Sequence, residues 1–410
     1  KLDSEINPLD LCHMNIKLEP KSREVAKENF QLKFALRNQT NEQLLSLKPI
    51  QDEEIDVIIQ IMINVIGNSF RKSQNLTGML MLRLMRLLLK HGAATENAVV
   101  FINYALMLIS GFNDVKEALR FGNLAANLAD ESKNTYIKAR VYFINSIFLN
   151  HWQNKYESSI EKMRTVQQYQ EQLGLYYNLT VMSCFLCNAK LLDGRTLQEI
   201  SEEMAYQKKI YGKYSSPLAQ DFLAELSHWI HVLQTPDAKV NWHAQITLIN
   251  EETVASMHYI LRLRMAYLFK NEEQLQHLLE KLAQQSSQVF SLPTTPVYHF
   301  FRTLCYFDFL NGEQSHRFSN NTMKKDIAIS LRYFKNWAKH APHQYEHYYT
   351  ALLAEQYAHK KQWIKATRAY IEAIQLAKIY QFPHDEAVLH ERLAKLYVKQ
   401  QDATKATYHI

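Results

Sequence analysis

Along most of this chain the apolar positions recur at the three-and-four spacing of a single helix face. Between 52 and 70, Ile55, Ile58, Ile59, Met62, Ile63 and Ile66 make a wide apolar stripe. The stretch 76–90 is apolar nearly all round, apart from Arg83, Arg86 and Lys90, which share one face. A helix of that kind is buried on most sides, and His91-Gly92 ends it, with glycine in its usual place after a helix. Further stripes predict helices over 95–110, 114–129, 132–151, 156–173, 176–192, 196–211, 216–234, 251–270, 272–287, 297–310, 322–340 and 343–360. Ahead of them Ser22 can cap a helix running to about Arg37. Pro236 to Asn250 is short and interrupted, Pro293 and Pro296 break the chain, and 311–321 is the longest polar loop.

The last sixty residues show how these helices are used. Leu353, Ala354 and Tyr357 lie on one helix and Ala366, Tyr370 and Ala373 on the next; then Leu393, Ala394 and Tyr397 recur, followed by Ala406. Ala354 to Ala394 and Ala366 to Ala406 are both steps of 40 residues. A small residue lets two helices approach and an aromatic fills the gap beside it, which is the pattern of a tetratricopeptide-like repeat. The expected fold is therefore all-α: a right-handed α-solenoid of about nine helix pairs, each packing only on its neighbours. Residues 1–50 read as lead-in helices. Residues 51–410 read as the superhelix, with an irregular segment near 235–250 and a loop near 311–321. The last pair stops partway through its second helix with no polar capping helix, so the expectation is a piece of a longer polypeptide.

Composition agrees with this reading. The 410 residues include 9 Gly and 9 Pro, where average usage would give about 29 Gly. That scarcity disfavours phosphate loops and β-turns. The net charge of +6 is interspersed rather than blocked, as on solvated helix faces, so no nucleic-acid partner is expected. The first residues lack the apolar core of a signal peptide, the most apolar stretch is too short to span a bilayer, and 4 Cys make no disulfide scaffold. A cytoplasmic location with no membrane partner is the simplest expectation.

Candidate chemistry is sparse. His343-Gln344-Tyr345-Glu346-His347 reads H-x-x-E-H, the inverted zinc-peptidase signature, but no third acidic ligand stands in a motif context. Cys184-x-x-Cys187 lies inside an apolar helix, where small buried core residues are expected rather than a redox or zinc pair. His228 and His231 flank Trp229 on one helix and read as a polar packing edge. Tyr298 to Phe309 reads as core and groove lining. No two glycines are closer than 11 residues, so a G-x-G-x-x-G or P-loop is excluded. No enzyme activity, cofactor or metal site is expected.

Several segments together resemble a known family: LLLKHGAATENAVVFINYALMLISG (87–111), FGNLAANL (121–128), KARVYFINSIFLNHW (138–152), NWAKHAPHQYEHYYTALLAE (336–355) and AIQLAKIYQFPHDEAVLHERLAKLYV (373–398). They are similar to the helical-repeat region of large bacterial multidomain signalling proteins. Those proteins combine a kinase-like domain, an AAA/STAND-type ATPase, the repeats, a GAF domain and a histidine kinase or cyclase. Trp337, Ala338, His340, Ala341, Pro342, His347 and Tyr349 fit the family pattern WAxHAPxNxxHKY, whereas Gln344 and Tyr348 replace its Asn and Lys. The resemblance implies a non-catalytic scaffold arm. It would bind a protein or peptide partner, or other domains of its own polypeptide, along a groove lined by the first helix of each pair. By repeat position the groove candidates are Asn103, Met107, Glu355, Glu391 and Lys395. The alternatives are the ligand-sensing arm of a STAND-type transcriptional activator and a stand-alone adaptor or effector that docks a partner protein.

Overall fold

The backbone N–H of Lys21 donates to Glu24 Oε2 at 2.7 Å, closing the first turn of α1 (Ser22–Leu36). Ser22, the expected cap, is instead the first helical residue, and its hydroxyl reaches Asn75 Oδ1. The computed structural model describes residues 17–69, 73–93, 96–214, 216–235, 238, 240, 242, 252–285, 291–312 and 316–409. Most of the expected irregular segment at 235–250, and the middle of the 311–321 loop, lie outside the described residues. The described residues are all-helical apart from turns and one isolated bridge, Pro49 with Ala93.

Up to Asn145 the chain forms one compact unit and from Ser146 a second. In the first unit, α2 (Asn41–Leu45) follows α1. Then come α3 (Glu53–Ser69), α4 (Gln74–His91), α5 (Asn97–Phe112), α6 (Val115–Glu131) and α7 (Thr135–Ile144). Each helix from α3 on packs against the next, and α1 lies on α4. The charges that interrupt α4 have a use: Arg86 pairs with Glu28 of α1 at 2.9 Å and Arg83 with the same oxygen at 3.3 Å. Gly92 has φ 111° and comes so close to the Lys48 carbonyl that a Cβ would stand 2.2 Å from its oxygen. Only glycine suits that turn. The single helix expected over 132–151 ends at Ile144; a π-helical stretch (Asn145–Leu149) and a 3₁₀ turn (Asn150–Trp152) continue it.

The second unit contains α8 (Tyr156–Gln172), α9 (Tyr176–Leu192), α10 (Leu197–Tyr211), α11 (Pro217–Gln234), α12 (Glu252–Leu268), α13 (Glu272–Gln285) and α14 (Thr294–Leu310). It ends with α15 (Asn320–His340), α16 (Pro342–His359), α17 (Trp363–Ile379), α18 (Pro383–Lys399) and α19 (Ala403–Tyr408). Most consecutive helices pack on one another, and α12, α14 and α16 also pack side by side. Ala354, Ala366, Ala394 and Ala406 are all buried, as the 40-residue step requires. The turns repeat too: Lys361, Gln381 and Gln401 are left-handed, with φ of 57°, 67° and 60°. In each case the next N–H, of Gln362, Phe382 or Asp402, returns to the carbonyl five residues back, on Tyr357, Ala377 or Tyr397. This is the Schellman closure of a helix C-terminus.

One expectation fails in this unit: the repeats do not contact neighbours alone. His151 Nδ1 lies 2.7 Å from the Tyr345 hydroxyl, and His151 Nε2 lies 3.2 Å from the Ser291 carbonyl. Trp152 packs against Trp337 and Tyr345, with ring centroids 5.2 and 5.3 Å away. The Tyr156 hydroxyl donates to the Pro293 carbonyl. The unit's first residues are thus buried against its α14–α16 region. The aromatic content of the motif around Trp337 supplies that contact, which a helical periodicity does not reveal.

Candidate functional site

Three buried stripes leave a cleft between them. On α15, Met323, Ile327, Ser330, Phe334 and Trp337 turn inward, which sends Lys335, Ala338 and Lys339 to another face. On α17, Ala366, Ala369, Tyr370, Ala373 and Ala377 turn inward, leaving Lys365, Arg368 and Glu372 outside. The floor between them is α16, with Glu346, Tyr349, Leu353 and Tyr357 at helical spacing. The resulting cleft is about 530 Å³. Lys335, Lys339, Lys365 and Arg368 outnumber Glu346 and Glu372, for a net charge of +2. Lys365 Nζ stands 5.8 Å from the Tyr357 ring centroid, a cation–π contact.

The frame behind this cleft is a buried ionic cluster. Arg392 of α18 reaches Glu355 Oε1 of α16 at 2.5 Å and both oxygens of Asp308 of α14 at 2.7 Å. The Tyr370 hydroxyl of α17 donates to the same Glu355 oxygen. Burial alone would lower the Arg392 pKa; the charge of Glu355, with Asp308 among the lesser contributions, outweighs burial and holds the guanidinium above its ordinary value. Four helices are fixed by one network whose charges are all buried.

A second cluster joins two of these helices, α16 and α18, nearer their N-terminal ends. His347 Nε2 lies 3.1 Å from Asp385 Oδ2, and His384 Nε2 lies 3.4 Å from that oxygen. Burial opposes ionisation of Asp385, but the His384 and His347 rings and the nearby Arg264 outweigh it, leaving the carboxyl well below the usual range. The H-x-x-E-H residues therefore separate. His347 is buried against Asp385, Glu346 lines the cleft, and His343 is half-buried with its ring edge-on to Tyr380.

A larger cavity of about 1000 Å³ lies among α9, α10 and α11. Its floor is a closed polar chain: Ser183 Oγ donates to Gln207 Oε1 at 2.7 Å, and Gln207 Nε2 donates to Glu203 Oε1 at 2.8 Å. Gln167 Nε2 donates to Gln207 Oε1, also at 2.8 Å. Arg164 and Lys190 both hold Glu203. His228 and His231 line this cavity, while Trp229 between them points into the core under Arg264. Cys184 and Cys187 are buried, and burial pushes the Cys184 thiol up to about 12. Tyr298 to Phe309 is buried throughout.

The five groove candidates scatter. Asn103 is buried and donates to the Val99 carbonyl one turn back. Glu355 is buried in the Arg392 cluster. Neither side chain presents surface. Met107 is half-buried, close against Gly78 and Gly111. Glu391 and Lys395 pair with each other at 3.2 Å on a half-exposed face of α18, with Lys270 3.8 Å from Glu391. None of the five lines either cavity. The cleft residues escaped sequence reasoning because the lysines of α15 and α17 look like ordinary solvated positions; only the pairing of the helices brings them together.

Among the described residues no three His, Cys, Asp or Glu side chains form a group able to hold a metal ion, and no helix is long and apolar enough to cross a membrane. No family model matches this sequence, and no curated protein matches it.

Proposed function

We propose that this chain is a non-catalytic interaction arm of a multidomain bacterial signalling protein, acting in the cytoplasm. On this reading it is a right-handed α-solenoid of about nine tetratricopeptide-like pairs, and the α15–α17 cleft holds an acidic segment. That segment belongs to a partner protein or to another domain of the same polypeptide. The observation that carries the reading is the cleft itself: four cations and two tyrosines on a floor of adjacent repeats, fixed from behind by the Arg392 cluster. Charge complementarity of this kind selects and orients a partner segment, and the rigid frame lowers the ordering cost of binding.

The test is fluorescence anisotropy with a short labelled peptide of alternating Glu and Leu, beside its Lys and Leu counterpart. The acidic peptide is expected to bind more weakly as salt is raised. The combined variant Lys335→Glu, Lys339→Glu, Lys365→Glu and Arg368→Glu is expected to lose it while melting like the parent. Equal binding of both peptides, or no loss in the variant, would overturn the reading.

A further inference from the structure

The α9–α11 cavity is a second, chemically different site, independent of the cleft. Helix α11 has two faces. One carries Phe222, Leu226, Trp229 and Ile230 into the core and is locked to α12 by Glu225, whose oxygens accept from Arg262 at 2.8 and 3.1 Å. The other face, turned to α10, carries the small side chains Ala224 and Ser227. Opposite them α10 offers Ser201 and Ala205. Small side chains on both sides leave the space unfilled, although close packing is the rule between neighbouring helices. A volume of about 1000 Å³ is at the upper end for small-molecule sites.

The lining selects the ligand. Among the described lining residues Lys208 is the one charged side chain, and none is a carboxylate. The floor hydroxyls and amides are already occupied: Ser201 donates to the Leu197 carbonyl, Thr180 to the Tyr177 carbonyl, and Ser183 to Gln207. The floor therefore asks nothing of a ligand. The rest of the polar lining, Lys208 with Gln220, Ser227, the imidazoles of His228 and His231 and the Tyr211 hydroxyl, is rich in donors. We infer that this cavity binds a small amphipathic organic acid, with its apolar body between α10 and α11 and its carboxylate at Lys208.

Native mass spectrometry and calorimetry with decanoate, decanol and decylamine on the whole chain test this. Decanoate is expected to bind one to one, and decylamine not to bind. Lys208→Met should weaken decanoate at least about tenfold while leaving decanol unchanged. Ala224→Trp, which fills the space from an exposed position, should abolish decanoate binding with the thermal melt retained. Equal binding of all three compounds, or decanoate binding that survives Ala224→Trp in a folded protein, overturns the assignment.

Discussion

Arg392 and Asp308, 84 residues apart in the chain, meet in the core with one guanidinium nitrogen 2.7 Å from both carboxylate oxygens. The same arginine holds Glu355, so its removal would leave two buried carboxylates without their cation.

Arg392→Met is therefore expected to cost about 3–5 kcal/mol of folding stability, the range for breaking a buried ion pair from one side. Urea denaturation followed by circular dichroism measures it. A loss below about 1 kcal/mol would mean the cluster is solvated and is not the frame of the cleft.

His151 makes stability depend on pH. Burial lowers its pKa from 6.5 to about 3, the Ser291 carbonyl opposing this only in part. With Nε2–H donating to that carbonyl, Nδ1 is left to accept from Tyr345, so the folded state holds the ring neutral. As pH falls below 6.5, the unfolded chain takes up this proton first. The contribution is thus complete above that value and is lost steadily toward the folded-state value. The slope from this one group is about 1.4 kcal/mol per pH unit. Urea midpoints taken at several pH values should fall with acidity in the parent and fall less steeply in His151→Gln.

Lys361 holds φ 57° with no glycine to make it easy. A left-handed residue with a Cβ carries a penalty of about 1–2 kcal/mol, partly offset in a glycine variant by the greater freedom of its unfolded chain. Lys361→Gly should raise stability by up to about 1 kcal/mol, read as an increased melting temperature. A decrease would show that the lysine side chain contributes more than its backbone costs.

The helices and the 40-residue step were legible because both arise from local periodicity: Ala354, Ala366, Ala394 and Ala406 are small where two helices must touch, and all four are buried. Glu355 was not legible. A carboxylate at a first-helix repeat position looks like surface, and its cation stands 37 residues away at Arg392, on no period that the sequence displays. The cleft and the α9–α11 cavity were hidden for a related reason. Each consists of residues ordinary on their own helices, brought together only when the helices pair. The π-helical stretch at Asn145–Leu149 was read as continuous helix because nothing in its apolar pattern interrupts one.

The contact of His151 and Trp152 with Tyr345 and Trp337 acts as a ruler. An open array of repeats can gain or lose a unit anywhere, since each addition merely lengthens it. Here the residues between 152 and 337 must bring the chain back to one aromatic nest. A duplicated or deleted pair within that interval would leave the nest without its other half. Insertion of whole helix pairs is thus expected to be tolerated only outside the interval.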